Sequence, residues 1–375
     1  MNIEKEKNLD IDNFFLRDVH SDPLFRIILK SRHFTPVIFM GIYFIFIFLI
    51  NLFLSITDRH FLPDSSNFLS FTEDYGNLLS IGLIAPMGAY LFLKLHNMAS
   101  STFISLYKKG LIIITDTDFS IFLKKFSNAY GKNWLIWTSI GFSVLYNLWI
   151  VFGLHRFDTW NGCFGNGISP FYFRASVIIT YYMFFILAFR SLITLSFLKR
   201  IFRLGINIKP MDPDGCCGFR EVGNLSLLIN SFVLLCGLYF VNISFLGKMP
   251  IKNPIFFVSI IVYLSISSYF FLTPIINGHN AIKKQKHNIM RILSEKMNER
   301  LNHHLKSDSS AHGLSSGFPS IELEYWKTVK TCPEWPLDIK IFSRFVGNAL
   351  IPLLIPTLDE LIVHINIINN VINFK

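Results

Sequence analysis

Aspartate and glutamate are missing from all six of the longest apolar stretches of this 375-residue chain. That absence argues against cation- and proton-coupled carriers, which place acids inside the membrane, and against paired membrane aspartates of an intramembrane protease. No H-E-x-x-H occurs either, so the usual zinc-protease helix is excluded. Charge is scarce overall: 16% of residues are charged, against about 25% in soluble domains. There are five cysteines, none in a C-x2–4-C pair of the kind that holds zinc. Nor is there a short apolar region followed by a cleavage site near Met1. We therefore expect the first apolar stretch to serve as its own insertion signal.

What is abundant is apolar and aromatic: 51% hydrophobic residues, 40 phenylalanines and a mean hydropathy of +0.44. The apolar residues fall into six runs: Thr35–Ile56, Asn77–Leu95, Asn133–Leu154, Ala175–Leu198, Asn224–Leu246 and Ile255–Asn277. At 1.5 Å per residue each is long enough for a ~30 Å hydrocarbon core. Backbone groups in lipid must bond within the segment, and no alternating barrel pattern is visible, so the runs predict helices. The expected fold class is all-α: a polytopic bundle of six transmembrane spans with a helical cytoplasmic C-terminal region.

Lysine and arginine alternate between rich and poor connections. The arm 1–34 has six; Lys108, Lys109, Lys124, Lys125 and Lys132 follow span two; Lys199, Arg200, Arg203, Lys209 and Arg220 follow span four; twelve follow span six. The intervening connections have one or two each. This phase predicts an inner-membrane protein with both termini cytoplasmic. It also accounts for the net charge of +10 without a nucleic-acid partner; the expected partner is the lipid bilayer.

The organisation read from these patterns is a cytoplasmic arm (1–34), the six-helix domain (35–277), an amphipathic cytoplasmic helix (278–306), a linker (307–320) and a cytoplasmic or interfacial segment (321–375). In the amphipathic stretch Met290, Leu293, Met297, Leu301 and Leu305 mark one apolar face. It predicts a helix lying on its own protein or, through 287–305, pairing with a second copy. Gly313–Gly317 spells G-x-S-x-G, but in a serine-rich linker with neither the strand nor the helix a nucleophile elbow needs. The segment 341–358 contains Arg344, Pro352 and Pro356 and is expected to be interfacial or re-entrant rather than a seventh crossing.

Three groups of residues are singled out. Arg190 interrupts the fourth run; with Asn147, Asn230 and Asn242 it is a candidate for a pore or anion site. The competing reading is that the membrane ends near Arg190, and that the asparagines only pack helices. The second group is the loop Lys209–Phe219, "KPMDPDGCCGF", with Asp212, Asp214, Gly215, Cys216 and Cys217. It lacks the rest of an EF-hand, and adjacent cysteines rarely bind one ion or bridge each other. Pro213 and Asp214-Gly215 supply turn chemistry, so a tight turn is expected, its thiols reduced on the cytoplasmic side. Trp335 and Asp338, in "CPEWPLD", form the third group: an interfacial anchor, or a point where the C-terminal segment docks on that loop. No metal, cofactor or catalytic residue is expected.

"DPDGCCGF" followed by an apolar span, and "CPEWPLD" before an apolar segment, resemble the H-P-D-x-x-G-G-L loop and the W-P-x-D element of uncharacterised bacterial multi-pass membrane proteins. Asp212 stands where that pattern has histidine, Cys217 where it has glycine and Phe219 where it has leucine. The resemblance implies a multi-pass architecture and a bacterial source, and no mechanism. The expected function is channel- or transporter-like without a catalytic centre. The alternative is a membrane-embedded sensor or effector, defence-related or otherwise, that acts through a cytoplasmic partner or ligand.

Overall fold

A computed structural model describes residues 35–62, 70–153, 167–246, 254–307, 320–336 and 338–351. The arm 1–34, nearly all of the linker with its G-x-S-x-G, and the tail beyond 351 lie outside the described residues. The protein is all-α. Its helices are α1 (Pro36–Thr57), α2 (Tyr75–Lys108), α3 (Asp116–Tyr130), α4 (Asn133–Gly153), α5 (Ser169–Leu204), α6 (Arg220–Leu246), α7 (Pro254–Ser307), α8 (Ser320–Thr331) and α9 (339–351). Among the described residues the only extended pairing is one antiparallel bridge, Ile112 to Ile206.

Among the described residues, five helices are long and apolar enough to cross a membrane: α1, α2, α5, residues Arg220–Tyr239 of α6 and Ile260–Arg300 of α7. The expected third span is α4, a helix of 21 residues. It lies antiparallel along α5, with Trp134 on Phe189, Phe142 on Phe185 and Tyr146 on Tyr181. Its other face exposes Trp137, Leu145, Trp149 and Phe152. A helix with one packed face and one exposed apolar face suits lipid, where only the inward face needs protein contacts.

Helix ends are fixed by specific residues. Thr35 caps α1, its Oγ1 accepting from Ile38 N at 3.3 Å, and Pro36 occupies the first turn. Asp58, at the end of α1, accepts the backbone N–H of Ser169 at 2.6 Å and so caps α5 from a distance. Burial works against the Asp58 carboxylate, but the hydrogen bonds from Ser169 and Ile168 outweigh it and hold its pKa below the usual value. Five-residue π-turns interrupt α1 at Ile45–Leu49 and α2 at Ser80–Ile84.

Two helices run well past the expected membrane limit. α2 has 34 residues and α5 has 36, about 51 and 54 Å at the α-helical rise. Their extensions hold α3, a helix that the sequence reading treats as a loop. Thr115 caps α3, with Asp116 and Asp118 in the first turn. Its buried face is Phe119, Phe122, Leu123, Phe126 and Tyr130. Phe126 packs edge-on against Phe103 and Phe197, and Phe119 stacks on Tyr107 at 3.9 Å. The long α7 likewise joins the expected sixth span and the expected amphipathic helix without a break at 277/278.

Helix α9 enters the bundle rather than lying across its end. Phe345 stacks on Phe271 at 3.8 Å, and Asn348 Nδ2 donates to Ser231 Oγ at 3.3 Å. Ser231 and Phe271 are both inside predicted spans, so α9 packs on α6 and α7, as a re-entrant segment would.

Candidate functional site

A cavity of about 340 Å³ opens between α2, α5 and α6, with α1 and α4 closing its sides. Its size falls within the ~300–1,000 Å³ of small-molecule sites. One end is polar: Asn77 and Ser80 of α2, Arg174 of α5 and Asn242 of α6. The other is apolar: Ala85, Phe184, Phe185, Ala188 and Phe232. The tyrosines Tyr146, Tyr181 and Tyr239 lie between, with the hydroxyls of Tyr181 and Tyr239 hydrogen-bonded to each other. Arg174 is the single charged residue among the described residues of the lining.

Both π-turns border this cavity. Ile47 comes from the first; Ser80, Ile81 and Ile84 come from the second. A π-turn inserts one residue, so the side chains after it are re-aimed, and such turns concentrate at functional sites. Asn242 is held by the start of α2: its Nδ2 donates to Gly76 O at 2.6 Å and to Oγ of Ser80, the first residue of the second π-turn, at 2.7 Å. Its Oδ1 is buried and accepts no hydrogen bond among the described residues.

Of the four candidate pore residues, only Asn242 lines the cavity. Asn230 accepts from Ser267 Oγ at 2.8 Å and joins α6 to α7. Asn147 is buried on α4. Arg190 lies elsewhere again, 2% exposed, with its guanidinium 5.0 Å from the Tyr130 ring and 5.6 Å from the Phe92 ring. His96 packs on the same Tyr130 at 5.6 Å. Arg190 is 21 residues beyond Ser169, or ~32 Å along α5, about one hydrocarbon thickness. The guanidinium is therefore seated between aromatic faces under α3. The sequence reading missed Tyr130 and His96 because neither lies in the six runs. The capped i, i+3, i+4, i+7 pattern of Phe119, Phe122, Leu123 and Phe126 was the available signal.

The loop 209–219 is a turn organised by Asp214. Its Oδ1 accepts from Cys216 N at 2.7 Å and Gly218 N at 3.0 Å, and its Oδ2 from Arg220 N at 3.1 Å. One carboxylate thus closes the turn and caps α6. Asp212 Oδ1 accepts from Asp214 N at 3.1 Å. Gly215 has φ +67° and Cys217 φ +56°. Gly218 has φ +96°, and a Cβ there would lie 2.8 Å from Leu111 side-chain atoms, so glycine is required both by conformation and by space. Cys216 is buried; burial first, then Asp214 and Asp338, pushes its thiol up to about 11.

The C-terminal segment docks on this loop. Cys217 and Cys332, 115 residues apart, form a disulfide with Cα atoms 6.5 Å apart. Lys286 Nζ donates to Cys332 O at 2.9 Å, His279 Nδ1 lies 3.0 Å from Glu334 O, and the His279 ring stacks on Trp335 at 4.0 Å. The expectation of reduced, turn-filling cysteines rested on the adjacency of Cys216 and Cys217 and on the cytoplasmic placement of the loop, and did not weigh Cys332. The true neighbour of Cys217 is remote in sequence, where no spacing rule reaches. No group of three or more metal-ligating side chains occurs among the described residues.

Compared with protein-family models, curated proteins and solved structures, the chain matches none.

Proposed function

We propose that this is a bacterial inner-membrane protein of the transporter or channel type, with six crossings and cytoplasmic termini, that admits a ligand to its intramembrane cavity and carries no catalytic centre. The observation that carries this reading is the cavity, polar at one end, apolar at the other and bordered by two π-turns. The lysine- and arginine-rich end, with α3 and the loop 209–219, is then cytoplasmic, and the polar end of the cavity faces the opposite side. The resemblance of "DPDGCCGF" and "CPEWPLD" to bacterial multi-pass proteins agrees with this placement. A second copy, joined through 287–305 at the projecting end of α7, belongs to the same proposal.

The test is flux through reconstituted liposomes. Wild-type protein is expected to pass solute or amphiphile, and Ala188→Leu, which narrows the apolar end of the cavity, is expected to reduce passage several-fold. Passage indifferent to Ala188→Leu would defeat the reading.

One observation favours the alternative, a sensor or effector. The C-terminal segment is held on the loop 209–219 by the Lys286 and His279 contacts and, under oxidising conditions, by Cys217–Cys332. Such a fastening suits a segment whose position is read by a partner. Silence in the flux assay, together with a stoichiometric partner retained by wild type and lost by Cys332→Ser, would select it.

A further inference from the structure

The two ends of the cavity differ in a way that specifies a ligand. From Arg174 to Ala188 the lining spans 14 residues of α5, about 21 Å of helix. A single leaflet of a ~30 Å hydrocarbon core is about 15 Å deep. The slot is thus long enough for one acyl chain hanging from the membrane surface, and its deep end is made of Phe184, Phe185, Ala188 and Phe232. At the shallow end Asn242 is 4% exposed, and its Oδ1 accepts nothing among the described residues. A buried acceptor left without a donor is destabilising, so a ligand that supplies a donor there is favoured. Its Nδ2 is already committed to Gly76 O and Ser80 Oγ, which fixes the amide orientation and leaves the oxygen to the ligand. Arg174 is on the same rim, the buried Asp74 carboxylate behind it accepts from Asn77 N and Nδ2, and among the described residues the lining itself holds no carboxylate. A phosphate at the rim therefore meets a guanidinium and no lining carboxylate.

Resting on the reading of the cavity as a ligand site, we infer that it takes an anionic amphiphile: a phosphate-type head that also carries a hydrogen-bond donor, above a single alkyl chain. The donor meets Asn242 Oδ1, the phosphate lies toward Arg174, and the chain fills the slot to Ala188. A membrane phospholipid with a hydroxyl-bearing head and a free alkyl phosphodiester share this chemistry.

The experiment measures binding isotherms for the full-length purified chain in a neutral maltoside detergent. The probes are dodecylphosphoglycerol, dodecylphosphocholine below its micellar concentration, and glycerol phosphate. Dodecylphosphoglycerol is expected to bind one saturable site. Dodecylphosphocholine, which keeps the phosphate but has no donor and no net charge, is expected to bind about fivefold more weakly, the worth of one neutral hydrogen bond to the amide oxygen. Glycerol phosphate, with no chain, should not bind measurably. Arg174→Gln should bring the two amphiphiles closer together, and Asn242→Leu should do the same. Because Asn242→Leu also removes the bonds to Gly76 and Ser80, Ala188→Leu serves as the fold-neutral variant: it blocks the slot, removes no polar group and should weaken both amphiphiles at least tenfold.

Equal affinity for the two amphiphiles in wild type, with Ala188→Leu still abolishing both, would overturn the head-group assignment and leave the cavity reading standing. Unchanged binding in Ala188→Leu would overturn both. Tight binding of glycerol phosphate alone would replace the amphiphile by a soluble phosphate. A bilayer arm separates the two sources of the amphiphile. Retention of phosphatidylglycerol over phosphatidylcholine in protein extracted from mixed vesicles selects the lipid. Equal retention of the two lipids, with the dodecyl compounds still discriminated, selects the free phosphodiester.

Discussion

The two ends of the bundle are built on different principles. At the basic end α3, the extensions of α2 and α5, the loop 209–219 and the segment 332–336 close on a dense core of Phe103, Phe119, Phe126, Leu198 and Phe219, each 0–1% exposed. One carboxylate ties the turn, and a disulfide and two contacts from α7 hold the last segment. The opposite half has π-turns in two helices, an open cavity and an amide oxygen that accepts nothing among the described residues. A region that leaves space unfilled forgoes packing, and the densely packed end supplies it; the contrast is one of packing, since Ser127 Oγ in the dense end also makes no hydrogen bond among the described residues.

The sharpest way to break this comparison is to damage the dense end. Phe126→Ala removes a fully buried ring that touches Phe103, Phe197 and Tyr130. It should cost about 3–5 kcal/mol, seen as a large fall in melting temperature or loss of folded protein; Ala85→Gly at the cavity wall should cost far less. A small effect of Phe126→Ala would mean that the two ends are equally tolerant.

Asp214→Ala comes next. It releases three backbone donors and the cap of α6 together, and about 2–3 kcal/mol is expected. Faster trypsin cleavage at Arg220 should accompany it. Asp212→Ala, which loses one bond, should be milder, and the reverse order would misplace the hub of the turn.

Arg190→Lys sharpens the assignment of that residue to the dense end. A lysine keeps the charge but loses the planar stack on Tyr130 and Phe92, so about 1 kcal/mol should be lost. Liposome flux should stay at the wild-type level, because Arg190 is not in the cavity lining. A changed selectivity in Arg190→Lys would return it to the conduction path.

The smallest effect is that of Cys216. Its folded-state thiol is pushed up to about 11 by burial, Asp214 and Asp338, against an ordinary ~8.5. The folded state therefore holds the proton more tightly than the unfolded one. This stabilisation is complete below the ordinary thiol pKa and disappears as pH rises through about 11. At pH 7.5 iodoacetamide should leave Cys216 unmodified in the folded protein and modify it after denaturation; rapid alkylation of the folded state would show an open loop.

The two ends were not equally legible. The apolar helices were legible because hydropathy over about 20 residues is a local property: α1, α2, α5, α6 and α7 overlap five of the six predicted runs, and α4 coincides with the sixth. The Asp214-Gly215 turn was also legible, since the positive φ of Gly215 follows from turn chemistry. The position of Arg190 was not, because its ring neighbours Tyr130 and Phe92 come from other helices. Nor was α3, whose capped pattern was there but was passed over as a basic loop.

By itself the sequence determined the membrane-type helices, the sign of the charge on each connection and the turn at Asp212–Phe219, since each depends on residues close along the chain. Only the tertiary structure decided that Cys217 meets Cys332, that α9 packs beside Phe271 and Ser231, and that Asn242 alone among the candidate polar residues faces a cavity. Those outcomes depend on which helix faces close on one another. That is settled by packing across more than a hundred residues of separation, which no local pattern encodes.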